Sequence, residues 1–117
     1  MNHLERLERN ARLWHIERAA TAILQFAEGK SAADFATDHL LQSAIERQLI
    51  TIGEALSRAV KVDPEIAQTI EGASATIALR NRLVHNYPAT DWQRIWEIAA
   101  HDLPRLLSQV RALLAAP

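Results

Sequence analysis

No cysteine occurs in these 117 residues, which excludes disulfides, thiolate metal sites and a cysteine nucleophile. That absence fits any compartment and lends nothing to secretion. Glycine and proline are scarce, at 3 and 4, which points away from β architectures rich in turns. The glycines are also isolated from one another, so no glycine-rich phosphate loop exists. No uncharged apolar run approaches the roughly 20 residues of a membrane span. The opening Met1-Asn2-His3-Leu4-Glu5-Arg6 alternates charge with leucine and lacks the apolar core of a signal peptide. The expected location is the cytoplasm, without membrane association. Charge of one sign is missing too, since 13 Lys+Arg stand against 14 Asp+Glu for a net of -1. Proteins that coat nucleic acid by counterion release carry a strongly basic balance. Any chemistry on nucleic acid must therefore use a local basic site, and the densest is Arg80, Arg82 and His85.

What is present is helical periodicity. A chain of this length fits one domain over residues 1–117, burying roughly two-thirds of the surface exposed when unfolded. The first helix is expected from about Leu4 to Ala27, with Ile16, Ala19, Ile23 and Phe26 on one stripe. Gly29-Lys30-Ser31 ends it. A short turn over Ala32 to Ala36 leads to Asp38, an N-cap for a second helix reaching about Val60. Gly53 sits inside that helix, at a penalty of about 1 kcal/mol relative to alanine unless a neighbouring helix approaches closely there. Asp63-Pro64 restarts a short helix ending near Gly72. A third long helix spans about Ala73 to Asn86 and stops before Pro88. Thr90-Asp91 caps a final helix with Trp92, Ile95, Trp96, Ala99, Leu103, Leu106, Val110 and Leu113 on one face, kinked at Pro104. The expected fold is all-α, an antiparallel bundle of four main helices plus a short one.

Several chemistries are excluded by pattern. There is no His-Glu-x-x-His and no glutamate three residues before a histidine, so the di-iron pattern of helical bundles is missing. Asp34 and Asp38 lie four apart, but read as helix-entry caps rather than metal ligands. Arginine and histidine remain. With 11 arginines and five histidines, roughly 1.4 pairs separated by four to six residues arise by chance. Three exist. Arg9 to His15 reads as a solvent-facing charge beside a partly buried histidine, and Arg94 to His101 as surface and interface groups. Arg80 to His85 differs, because it ends a helix at a proline-enforced break, where side chains are freed from the bundle surface. On a regular helix these two would still project about 140° apart. Fraying of the last turn, the reach of arginine, or a second protomer must close that gap.

The string Arg80-Asn81-Arg82-Leu83-Val84-His85-Asn86-Tyr87 resembles the R-x4-H-x-Y motif of HepT-like toxins in the HEPN superfamily. Upstream, the run from Ala44 through Ile52-Gly53-Glu54-Ala55 resembles the long second helix of that family. The tail from Trp92 through Asp102-Leu103-Pro104 is similar as well, so the resemblance covers roughly residues 10 to 115.

The resemblance implies an HEPN-like bundle, a symmetric homodimer with its motifs facing across one RNA-binding cleft, and a metal-independent endoribonuclease needing no cofactor. RNA supplies its own nucleophile, the 2′-hydroxyl. His85 is expected to move protons, because imidazole exchanges them near neutral pH. Arg80 is expected to stabilise transition-state charge through a guanidinium that always carries its charge. Asn81 and Arg82 support it. Tyr87, the only tyrosine, is expected to accept AMP from a cognate minimal nucleotidyltransferase, an MntA-like antitoxin of a toxin–antitoxin pair. Added bulk and negative charge would then repel RNA. The alternative is a non-catalytic HEPN dimer that binds a nucleotidyltransferase or nucleotide. Trp92 and Trp96 read as core or dimer anchors, and Arg47 and Glu54 equally well as support for the cleft or as helical ion-pairing groups.

Overall fold

The structure, a computed structural model, describes residues 1–85 and 90–116. It is all-α. Helix α1 runs His3–Ala27 and starts on a capping box, with Asn2 Oδ1 accepting from the Glu5 N–H at 2.8 Å and Glu5 Oε1 accepting from the Asn2 N–H at 3.1 Å. Gly29, at φ 74°, turns the chain after it. Helix α3 (His39–Val62) begins at Asp38, whose Oδ1 accepts from the Leu41 N–H at 3.0 Å. Its buried stripe of Leu41, Ile45, Leu49, Ile52, Leu56 and Ala59 packs along the α1 stripe of Leu13, Ile16, Ala20 and Ile23. Their direction is antiparallel, because Arg9 near the start of α1 pairs with Asp63 at the end of α3 at 3.4 Å.

Three expectations change. Ala32 to Ala36 is no turn but helix α2 (Ala32–Thr37), opened by a second capping box between Ser31 and Asp34. Buried Phe35 anchors it, with its ring 5.9 Å edge-on from Trp92 and 5.2 Å from Trp96. Those tryptophan contacts supply the tertiary packing that a six-residue helix lacks alone. The short helix after Asp63-Pro64 shrinks to one turn, α4 (Ile66–Thr69), with Pro64 in the turn before it. Phe26, placed on the buried stripe of α1, is 37% exposed. The fully buried residues of α1 end at Ile23.

Helix α5 (Ala73–Val84) follows Gly72 and packs against α3. Asp91 caps α6 (Trp92–Glu97), accepting from the Arg94 N–H at 3.0 Å. The expected kink at Pro104 takes a specific form. A π-helical turn, Ile98–Asp102, separates α6 from α7 (Leu103–Ala115), and Pro104 falls in the first turn of α7. Proline there needs no N–H partner, so the wider π turn absorbs the lost bond. Helix α7 packs back on α1, and Arg111 meets Glu17 at 3.3 Å. Among the described residues no helix is long and apolar enough to cross a membrane.

Candidate functional site

Ala73, Ile77 and Arg80 follow one another at four- and three-residue steps, so they share one face of α5. Ala73 is buried and Ile77 packs against the core, which puts Arg80 on the apolar stripe. It is therefore not freed from the bundle surface as its place near the helix end suggested. The contact on α3 explains how a cation fits there. A Cβ on Gly53 would overlap the Arg80 Cβ, lie 2.9 Å from its Cγ and 3.1 Å from the Thr76 carbonyl oxygen. Only glycine allows the two backbones this close, so the helix-interior glycine is explained by packing.

Held this way, Arg80 carries its head into a groove of about 520 Å³ between α1, α3 and α5. Its Nη1 donates to Asn81 Oδ1 at 3.1 Å. Its Nε is buried and has no hydrogen-bond partner among the described residues. Arg12 of α1 enters the same groove, and its Nε is likewise buried and unpartnered. Glu54 lines the groove while pairing with Arg58 at 3.6 Å, so its ion-pair role and its place beside Arg80 coexist.

Arg82, two positions on, faces elsewhere. It lines a second groove of about 590 Å³ between α5 and the C-terminal helices, together with Arg94, His101 and Arg105. His85 is the C-cap residue of α5, at φ -81° and ψ 0°, with its N–H donating to the Asn81 carbonyl at 3.1 Å. Its residue is exposed and lines neither groove. Since α5 stays regular to this point, fraying does not close the gap. Regular helical spacing places the Arg80 and His85 backbones about 7.5 Å apart along the axis and about 140° apart around it. Arg80 and Asn81 are thus brought together, while Arg82 lines the other groove. Tyr87 lies outside the described residues.

The other polar candidates resolve as structure. Asp38 caps α3, and Asp34 closes the α2 capping box, its carboxylate accepting from the Ser31 N–H at 2.9 Å. That backbone hydrogen bond, then the Ser31 hydroxyl and Lys30, hold the Asp34 carboxyl below its ordinary value. Among the described residues no three His, Asp or Glu side chains gather as a metal site would require. Arg9 and His15 reverse their expected roles. Arg9 is largely buried against Asp63, whereas His15 is exposed, because α1 turns position 9 toward the end of α3. Arg94 pairs with Glu97 at 3.5 Å on the surface, and His101 is exposed. Trp92 and Trp96 pack on Phe35 and the core.

A family model described as ribonuclease HepT-like matches residues 16–113. The chain belongs to that family. A protein named "Putative RNase" from Caldanaerobacter subterraneus subsp. tengcongensis is 29% identical over 102 residues, 87% of this chain and 90% of that one. Another of the same description from Methanocaldococcus jannaschii is 28% identical over 98 residues, 84% of this chain and 89% of its own. A third relative from that organism, named gamma-glutamylcyclotransferase and putative RNase, is 26% identical over 100 residues, 45% of its length. No solved structure matches.

For this HepT-like chain, sequence reasoning missed Arg12, Lys61 and the groove they share with Arg80. Motif spacing cannot find residues contributed by three separate helices. A weak signal existed. Arg12 lies beside core residue Leu13 and one turn before Ile16, so a cation flanks the buried face of α1.

Proposed function

We propose that the protein is a metal-independent endoribonuclease, the toxin of a HEPN/nucleotidyltransferase pair. One observation carries the reading. Arg80 is packed over Gly53 with a buried Nε that no described protein group satisfies, at the mouth of a polar groove. A buried charged donor without a partner is expensive, and such groups are retained where an external anion completes them.

In this scheme His85 takes the proton of a 2′-hydroxyl, the O2′–P bond forms, and the P–O5′ bond breaks. An imidazolium returns a proton to the departing 5′ oxygen. The products carry a cyclic 2′,3′-phosphate and a 5′-hydroxyl. Arg80 binds the non-bridging oxygens, where charge accumulates, and Asn81 fixes its orientation through the 3.1 Å bond. Arg82 adds a cation along the strand.

The proposal includes a homodimer. On helical spacing Arg80 and His85 start about 140° apart around α5, a separation that a second copy would help to bridge. Leu4, Leu7 and Trp14, 75%, 51% and 58% exposed, form an apolar stripe on α1 opposite its buried face, a surface such a partner would cover. Tyr87 is the proposed AMP acceptor. Its oxygen attacks the α-phosphorus of ATP on the nucleotidyltransferase and pyrophosphate departs.

The test is cleavage of RNA by purified protein with chelator present. Wild type is expected to leave cyclic-phosphate ends, and His85→Ala to lose cleavage by at least about a hundredfold while keeping the wild-type oligomer. Loss of cleavage on chelation, or an unchanged rate for His85→Ala, refutes the mechanism. Binding of a nucleotidyltransferase with no cleavage under any condition would favour the non-catalytic dimer. Co-expression with the nucleotidyltransferase, followed by mass spectrometry, is expected to place adenylate on Tyr87. Unmodified Tyr87 refutes that step.

A further inference from the structure

Arg12 has no place in the motif, yet it meets Arg80 in one groove. The lining holds four cations, Arg12, Arg58, Lys61 and Arg80, against the two carboxylates of Glu8 and Glu54. The excess is two positive charges in a protein whose net charge is -1. Glu54 is engaged with Arg58 at 3.6 Å, and both are about half exposed. The two guanidinium Nε atoms are the buried donors left over, one from α1 and one from α5. At about 520 Å³ the space falls within the range of roughly 300–1,000 Å³ typical of small-ligand sites, which suits a nucleotide rather than a lone inorganic ion.

We infer that this groove is a phosphate subsite for the RNA strand, in which Arg12 and Lys61 hold a backbone phosphate beside the one engaged by Arg80. The inference rests on the ribonuclease reading for the identity of the ligand. Arginine suits the task because its fork donates two hydrogen bonds to one phosphate group. The two phosphates would neutralise the two guanidinium groups, one each. Arg12 thereby binds substrate rather than performing chemistry.

A short 2′-O-methyl oligoribonucleotide lacks the attacking hydroxyl and reports binding alone. Its affinity is to be measured across a salt series for wild type, Arg12→Ala, Arg12→Lys, Lys61→Ala and, as a control, Arg18→Ala, an exposed α1 position outside the groove. Arg12→Ala is expected to weaken binding about tenfold and to lower the slope of log affinity against log salt by about 0.7. Arg12→Lys keeps the slope and loses part of the affinity, Lys61→Ala lowers the slope, and Arg18→Ala changes neither. Lys61 is exposed, so its variant remains informative should Arg12→Ala fail to fold. Wild-type affinity and slope in both Arg12→Ala and Lys61→Ala overturn the subsite, as does a loss in Arg18→Ala equal to that in Arg12→Ala. Native RNA is assayed in parallel. Binding that depends on Arg12 without any cleavage refutes the nuclease and supports the groove. Cleavage with binding indifferent to Arg12 and Lys61 does the reverse.

Discussion

Replacing Gly53 with alanine sets two effects of opposite sign against each other. Alanine in a helix interior is favoured over glycine by about 1 kcal/mol. Propensity alone therefore predicts a stabilised protein. The new methyl, however, lies 2.9 Å from Arg80 Cγ and 3.1 Å from the Thr76 carbonyl oxygen, and closer still to Arg80 Cβ. Ordinary carbon contacts are about 3.5–4.0 Å. Arg80 Cβ and the Thr76 carbonyl are fixed by the α5 backbone, so no rotamer change relieves the overlap and α5 must move by about 1 Å. Overpacking of this kind costs roughly 1–3 kcal/mol. The net expectation is a loss of up to about 2 kcal/mol, read from urea unfolding as a lower midpoint with an unchanged slope.

The same displacement carries Arg80 off its position. A misplacement of about 1 Å can reduce a rate by about a hundredfold, so RNA cleavage should fall far more than stability does. Gly29→Ala is the control. Gly29 has φ 74° with nothing within 4 Å of an added Cβ, so alanine there strains the backbone and leaves Arg80 untouched. It should lose comparable stability and keep full activity. A more stable Gly53→Ala, or one as active as Gly29→Ala, would refute the claim that glycine sets the approach of α5 to α3.

Gln42 is 3% exposed and its Nε2 donates to the carbonyls of Phe35 and Ala36 at 2.9 and 3.2 Å. Gln42→Leu should lower unfolding stability by about 1–3 kcal/mol by removing both bonds, which leaves the Phe35 carbonyl, among the described residues, only the Asp38 N–H at 3.4 Å, and a neutral result by chemical denaturation would contradict that. The Asp34 carboxyl is held below its ordinary 3.8 chiefly by the Ser31 N–H. The unfolded state therefore binds its proton more readily, so the contribution is fully present above about pH 4 and disappears as pH falls through the lower folded value. The stability difference between wild type and Asp34→Ala should then be constant from neutral pH down to the carboxylate range and shrink below it. A difference that grows on acidification would reverse the assignment.

The long helices were legible because each repeats apolar residues at its own period and is bracketed by caps at Asp38 and Asp91 and by Gly29. Helix α2 was not, since one phenylalanine carries it and the tryptophans that hold Phe35 lie some sixty residues away. The π turn at Ile98–Asp102 was legible as a disturbance at Pro104 but not in kind, because proline specifies which hydrogen bond is lost and not how the helix widens. At the site, Arg80 and Asn81 were found as a motif. Their partner Arg12 was not, since contact across α1, α3 and α5 is a property of packing.

Two residues break local rules in this chain, and they break them at the same point. Gly53 weakens the interior of a long helix, and Arg80 occupies a stripe that Ala73 and Ile77 mark as apolar. Each alone would be a defect. Together they compensate in space, because the missing side chain on α3 leaves room for the aliphatic stem on α5. What packing does not compensate is the guanidinium Nε, which stays buried without a partner among the described residues. An apolar residue in place of Arg80, over the same glycine, would leave no such donor and would satisfy the fold better. That buried donor, on a helix whose charged end faces a polar groove, is what the proposed phosphate ligand would answer.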